Sequence, residues 1–381
     1  MLSSSLPNPF TPYGGIFFAD QAAALAKAGI KTGFICVQPI SLKSFLSSDV
    51  GGGFMYESEY RYYGVDTYVY RFFQVPFTRI RPLRIIRKKG LELYEKYIQL
   101  HGRPDLVHVH NFQAGTLALE LKKKYGIPYV ISEHSSNFLN DSVPQAQRKA
   151  ALEVYTNASA RIAVSPGSAA AMEKFSGLPF HIVPNLVDTQ FFTPGAGKPE
   201  IFTFFSAAGL IPLKNQELQI KAFLLFRKHF PDSRLIIAGD GPTRKRLEQS
   251  VLFGLQRHIQ FTGALSREQV RDHMQQASAY LISSHRETFG VVAIEALSCG
   301  IPVISTPCLG PESILRDPKT GILTKDFEVS SYAAAMLELR RNAERYEKVY
   351  IRQFAIEHYS EEAFVKKITD IYKPIIDPAV S

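Results

Sequence analysis

The chain has 381 residues, 45% of them hydrophobic and 21% charged, which is long and apolar enough for two domains with separate cores and excludes a single small binding module. Its 44 Lys+Arg against 35 Asp+Glu leave a formal charge of +9; that favours anionic partners in general, and without a recognition module nucleic acid is set aside. Cys36, Cys299 and Cys308 are too few for a disulfide framework or a zinc cluster, no stretch nears the roughly 20 apolar residues of a membrane span, and Met1–Phe10 lacks the features of a signal peptide, so a cytoplasmic protein is expected.

In chain order, Lys31–Val37, Leu106–His110, Tyr129–Ser132 and Arg161–Ser165 read as short β-branched strands. Phe202–Ala207, Arg234–Ala238, Ala279–Ser283 and Pro302–Ser305 follow in the second half. Helical spacing occupies Asp20–Ala28, Thr116–Tyr125, Asn215–His229, Arg244–Phe253, Glu268–Gln276 and Phe289–Leu297. Such alternation means βαβ units around parallel sheets, an α/β fold. Around His181–Glu200 proline and glycine interrupt any sustained period, which marks a connector; the boundary is placed near Asp188, between an N-terminal domain 1–188 and a C-terminal domain 189–359. The tail Ser330–Tyr372 is again strongly helical.

Residues 1–190 hold 20 basic against 14 acidic side chains and the remainder 24 against 21, so the positive excess lies mainly in the first half. Arg79–Lys89 (RIRPLRIIRKK) concentrates six of these charges around Leu83, Ile85 and Ile86. It reads either as an amphipathic helix at an anionic membrane surface, which would make the protein peripheral at the inner face of the membrane, or as an ordinary solvated helix face.

The richest segment is Leu281–Thr306, LISSHRETFGVVAIEALSCGIPVIST. A strand ends near Ser283, a polar turn follows, a helix runs from about Phe289 to Leu297, and Gly300 stops it. The first turn of that helix leaves the N–H groups of Phe289, Gly290 and Val291 unpaired, and Gly290 lets a ligand approach, so a phosphate fits there. Glu287 and Glu295 stand eight residues apart, about 12 Å of helix rise, a reach that suits a nucleoside diphosphate sugar held by hydroxyls at both ends. Singly, Glu295 reads equally as half of a buried ion pair and Glu287 as a charge favoured by the helix dipole.

The run Glu287-Thr288-Phe289-Gly290-Val291, through Glu295 to Gly300, resembles the E-x7-E signature of the retaining glycosyltransferases of family 4. The resemblance extends to Gly14-Gly15 before a helix, PDLVHVHN at 104–111, ISEHSS at 131–136, VPNLVDTQFF at 183–192, LIPLKNQ at 210–216, LIIAGDGP at 235–242 and FTGALSREQV at 261–270. It implies the GT-B fold: two Rossmann-like domains with parallel sheets facing a central cleft, the N-terminal one for the acceptor and the C-terminal one for the donor, with the helix at about 360–381 packed back on the first. It further implies a metal-independent retaining hexosyltransferase with no cofactor. The donor would be a nucleoside diphosphate sugar of UDP or GDP type, and the acceptor a sugar or lipid-linked sugar in cell-surface polysaccharide or glycolipid synthesis.

Lys214 follows a strand and precedes a helix, where a cation can meet the leaving diphosphate beside the Phe289–Val291 amides, and the resemblance gives it that work. The family usually has an arginine five residues earlier, where this chain has Gly209, so Arg244 or Arg286 is a candidate substitute. His134 ends a strand; it reads as a cleft-facing donor or as a structural histidine, and the resemblance sets it against the transferred sugar. Gly14 and Gly15 precede a helix, either as a simple turn or, by resemblance, beside the acceptor or donor phosphate. Thr288 joins the donor set by its place in the motif. His108 and His110 share a strand face, but no third ligand is spaced to complete a metal site, and His110 is expected on the acceptor side or in packing. A sugar-nucleotide epimerase of the same fold, or a noncatalytic nucleotide-sugar-binding protein, is the alternative function.

Overall fold

A computed structural model describes residues 1–8, 14–41, 55–74, 82–197, 199–251 and 254–377. By its internal contacts the chain divides into two compact units, residues 1–185 with 364–381 and residues 186–363.

The first unit comprises β1 (Leu2–Ser3), α1 (Ile16–Lys27), β2 (Gly33–Ser41), β3 (Met55–Tyr62), β4 (Val65–Gln74), α2 (Pro82–His101), β5 (Val107–His110), α3 (Phe112–Tyr125), β6 (Tyr129–Glu133), α4 (Gln145–Asn157), β7 (Ala160–Ala163), α5 (Pro166–Ser176) and β8 (His181–Ile182). Its strands form one sheet in the order β3-β4-β2-β1-β5-β6-β7-β8, parallel except for the antiparallel β3–β4 hairpin. Val107, Val109, Tyr129 and Ile131 lie under Phe112, Leu117 and Leu121 of α3 and Val154 and Tyr155 of α4. These alternate positions turn one face of β5 and β6 toward the helices.

The second unit comprises β9 (Phe202–Ala207), a 3-10 turn at Pro212–Lys214, α6 (Gln216–Arg227), β10 (Ser233–Ala238), α7 (Arg244–Ser250), β11 (Ile259–Gly263), α8 (Arg267–Gln276), β12 (Ala279–Ile282), α9 (Val291–Ser298), β13 (Val303–Ser305), α10 (Gly310–Ile314), β14 (Gly321–Leu323), α11 (Val329–Arg341) and α12 (Lys348–Tyr359). All its strands are parallel in the order β11-β10-β9-β12-β13-β14. The last helix, α13 (Glu361–Ile376), sets Tyr372 against His108 of the first unit.

Both sheets run outward in both directions from their first strand, the doubly wound Rossmann-like order. In such sheets ligands bind outside the carboxyl ends of the strands where the order reverses, here beyond β1 and β5 in one unit and beyond β9 and β12 in the other.

Sequence and structure part company at three places. Between the strands read at Lys31–Val37 and Leu106–His110, where none was expected, stands the β3–β4 hairpin, turned by Tyr63 and Gly64 at positive φ; the period-2 text of ESEYRY was the signal. Phe289–Leu297 becomes Val291–Ser298, because Gly290 takes a left-handed φ of 92° and so stands outside the helix. In the basic segment, Arg79 and Arg81 lie outside the described residues. Of the remainder, Arg87 pairs with Glu120 at 3.2 Å and Lys89 with Glu92 at 2.6 Å. Ile86 is buried in the core, with Leu83 and Ile85 packed against it. The apolar face of α2 is thus already used within the unit and is not available for insertion into a bilayer.

Candidate active site

In the second unit the chain leaves β9 at Ala207 and passes Gly209 to the turn at Pro212–Lys214. Asn215, with φ 47° and ψ 46°, ends that turn and leads into α6. Two bonds pin this loop to the one after β12: Ser283 Oγ donates to the Lys214 carbonyl at 2.7 Å, and the His285 N–H to the Leu213 carbonyl at 2.8 Å. Glu287 is held by its backbone, its N–H on the Cys308 carbonyl at 2.8 Å and its carbonyl on the Gly310 N–H at 3.0 Å.

The two fixed loops bring together side chains 73 residues apart. The Lys214 ammonium bonds Glu287 Oε1, and Ser284 Oγ donates to the same oxygen at 2.6 Å. The pair is mostly shielded, with side-chain exposures of 24% and 15%, so its Coulomb attraction is less screened than on an open surface. It borders a cavity of about 150 Å³ beyond the ends of β9 and β12, lined also by Gly209, Gln219, Ser283 and Val292. Gln219 Nε2 donates to Ser206 Oγ at 3.0 Å and Ser283 Oγ at 2.9 Å, while its buried Oε1 has no partner.

The other expected donor residues sit at varying removes. Phe289 turns inward, 2% exposed and against the Tyr359 ring, and Thr288, Gly290 and Glu295 do not line the cavity. With α9 starting at Val291, two residues later than expected, its free first-turn amides begin with those of Val291 and Val292. Of the substitute cations, Arg244 is gripped by Asp240 at 3.1 Å and Glu248 at 2.8 Å, and Arg286 is exposed and off the lining. Among the described lining residues Lys214 is the one cation. Gly209 has no backbone reason to be glycine, since a Cβ there would meet nothing within 4 Å.

In the first unit a pocket of about 460 Å³ opens beyond β1, β5 and β6, lined by Ser5, Gly15, Phe17, Asn111, His134 and Ser135 among others. Gly15 precedes α1 at φ 73°, and a Cβ on it would lie 2.5 Å from the Ser5 carbonyl oxygen, so only glycine fits. Gly14 adjoins it off the lining. His134 packs against the rings of Phe17 and Phe18; its Nε2 meets His110 Nδ1 at 3.2 Å, and its buried Nδ1 has no partner. Burial pushes the His134 imidazole down to about 3, so it is neutral near pH 7.

His110 is fully buried behind His134 and stacked on Phe18; it reaches the pocket only through His134. His108 lies deeper, bonded to Tyr372 and to Ser132 Oγ at 2.8 Å, and burial pushes it down to about 3. Sequence reasoning passed over Ser284, Gln219, Asn111 and Glu133. All but Gln219 stand inside the quoted motifs, but Asn111, Glu133 and Gln219 find partners 21 to 64 residues away, which leaves no local spacing to read.

Fold and cavities define a class: a two-domain Rossmann-like α/β chain with one polar site at the switch point of each sheet. Residues 15–191 match the family described as Glycosyltransferase Family 4 and residues 188–353 that described as Glycosyl transferases group 1; the chain is of the glycosyltransferase type in both halves, with the GT-B architecture. The D-inositol 3-phosphate glycosyltransferase of Paenarthrobacter aurescens is 27% identical over 270 residues, 63% of this chain and 65% of that protein. A GDP-mannose-dependent alpha-(1-6)-phosphatidylinositol monomannoside mannosyltransferase of Mycolicibacterium smegmatis is 27% identical over 49% of this chain and 51% of its own. Among solved structures, Anabaena Alr3699/HepE in complex with UDP superposes with a TM-score of 0.74 at 18% identity, covering 97% of this chain and 98% of that one. Among the described residues no helix is long and apolar enough to cross a membrane.

Proposed function

We propose that the chain is a retaining, metal-independent glycosyltransferase that moves a hexose from a nucleoside diphosphate sugar to an acceptor hydroxyl, in cell-surface polysaccharide or glycolipid synthesis. The observation that carries this reading is the Lys214–Glu287–Ser284 cluster at the β9/β12 switch point, with the first turn of α9 beside it. An ammonium next to helix N–H groups is suited to a diphosphate, and its attraction grows as the leaving group gains charge. Once phosphate takes Lys214, Glu287 is released to accept hydrogen bonds from sugar hydroxyls, with Glu295 further along α9 toward the ribose.

In the transfer, the bond from the anomeric carbon to the diphosphate oxygen breaks and a bond to the acceptor oxygen forms on the same face. The acceptor proton leaves with the diphosphate. His134, neutral and at the pocket wall, is assigned to hydrogen-bonding a sugar hydroxyl, and Gly15 to close approach of the ligand. The names of relatives and neighbours include both UDP and GDP-mannose, so either nucleotide remains in view, and inositol-based acceptors recur among them.

The test is incubation with UDP- and GDP-sugars and a panel of sugar, inositol phosphate and lipid-linked acceptors, followed by product analysis. An α-linked product from an α-linked donor supports the reading. An inverted product contradicts retention, an isomerised donor points to an epimerase, and binding without turnover points to a carrier.

A further inference from the structure

Glu133 is the last residue of β6 and is fully buried, yet among the described residues no cation pairs with it. Four donors meet its two oxygens. Oε1 accepts the N–H groups of His134 at 3.1 Å and Ser135 at 2.9 Å; Oε2 accepts the N–H of Phe112 at 3.0 Å and the Tyr155 hydroxyl at 2.7 Å. Phe112 is the first residue of α3, so the carboxylate also sits at the positive end of a helix. Burial holds the carboxyl above the usual carboxylate range even though the four bonds pull it down.

A buried carboxylate is an expensive way to close a turn, because desolvation works against it even when every lone pair is used. No neutral side chain of the same shape fills the place. A glutamine would turn its NH2 group toward two donors, leaving buried N–H or O–H groups unpaired. What this carboxylate holds is the turn carrying His134. The His134 N–H is shared between Glu133 and Asn111 Oδ1 at 3.0 Å, and Asn111, itself at φ 67°, returns its own N–H to the Ser132 carbonyl at 2.9 Å. Residues 133–135 are therefore tied to the starts of α3 and, through Tyr155, to α4. The remaining freedom of His134 is rotation of its ring, which Phe17, Phe18 and His110 limit.

We propose that Glu133, anchored by Tyr155, is the positioning residue of this site: its carboxyl group fixes the His134 turn so that the imidazole is held at the pocket wall for a sugar hydroxyl. This rests on reading the pocket as a sugar site. Glu133 touches no ligand itself and acts through His134, and the value of so rigid a turn is the sub-ångström placement that transfer geometry demands.

The experiment compares full-length wild type with Tyr155→Phe and Glu133→Gln by two readouts: 15N chemical shifts of the His134 imidazole across pH, and kcat and KM with whichever nucleotide sugar supports transfer. Tyr155→Phe removes one donor of four and keeps the protein testable if Glu133→Gln does not fold. The expected result is a change in His134 tautomer balance or pKa in both variants, with kcat reduced about fivefold by Tyr155→Phe, more by Glu133→Gln, and the donor KM held within about twofold. Folded variants with unchanged His134 shifts overturn the proposal, as does unchanged kcat. If the wild type transfers no sugar, the functional reading fails, and the imidazole shifts alone then decide the positioning role.

Discussion

The two candidate sites occupy the same place, the point where a doubly wound sheet reverses from its first strand, yet they are furnished in opposite ways. The site of the second unit is ionic: Lys214 and Glu287 neutralise one another at the cavity edge, ready to exchange partners with a charged ligand. That of the first unit is electrically quiet. Its three histidines, His108, His110 and His134, are all held neutral by burial, and its one carboxylate, Glu133, is spent on N–H and O–H donors. A common backbone frame therefore supplies only the location. The charge installed there suits one site to a diphosphate and the other to neutral hydroxyls.

The largest expected consequence is acid lability concentrated in the first unit, where three fully buried histidines are pushed down against one half-buried histidine, His273, in the second. For a histidine whose folded pKa lies below its unfolded value of 6.5, the unfolded chain binds the extra proton as pH falls, so stability is full above 6.5 and is lost progressively down to about 3 for His108 and His134. Each such group contributes a slope of up to about 1.4 kcal/mol per pH unit in that window. Urea midpoints followed by hydrogen exchange should show residues 1–185 weakening between pH 6.5 and 4 well before residues 186–363, and His108→Asn should flatten the slope. Parallel loss in both units would break the comparison.

Next in size is Lys214→Ala. It removes the one cation from the described lining, and a lost transition-state donor of this kind lowers kcat by about 10²- to 10³-fold. A loss under about tenfold would show that another base, Arg286 first, shares the charge. Glu287→Gln should lower kcat more than it weakens nucleotide binding, since its oxygens are assigned to the transferred sugar.

Gly209→Arg sharpens the contrast from the other side. Open space around the glycine Cα lets a side chain enter without strain, so a second cation should tighten UDP binding by about tenfold in calorimetry at low salt, with the gain shrinking as salt rises. Unchanged affinity would mean that position 209 does not face the phosphates.

The smallest effect concerns α2. Arg84 and Lys88 are its exposed bases without a partner among the described residues, so attachment to anionic vesicles should be weak, on the order of 1 kcal/mol per base. It should be screened by salt and removed by Arg84→Glu with Lys88→Glu, leaving transfer to a soluble acceptor intact. Salt-independent co-sedimentation would contradict a purely electrostatic contact.

What was legible in the sequence was whatever sits in one strand–turn–helix unit. The strand preceding Glu287 and the loop bearing Lys214 stand close to where apolar period and glycine placed them, because parallel strands are continuous apolar runs and the turns after them must be polar. Contacts between units of that kind were illegible. The bond between Lys214 and Glu287 spans 73 residues, and Glu133 reaches Phe112 and Tyr155 across 21 and 22. Arg244 shows the converse: from its position it was a fair substitute cation, and only the structure reveals two carboxylates already holding it.

The central claim, that the ionic site takes the nucleotide and the neutral one does not, is tested most directly by thermal shift with UDP and GDP on wild type, Lys214→Ala and His134→Ala. A ligand at 100 times its dissociation constant adds about 2.7 kcal/mol of stability. The account predicts that stabilisation in the wild type and in His134→Ala, and its loss in Lys214→Ala. Full stabilisation of Lys214→Ala, or its loss in a folded His134→Ala, would contradict it.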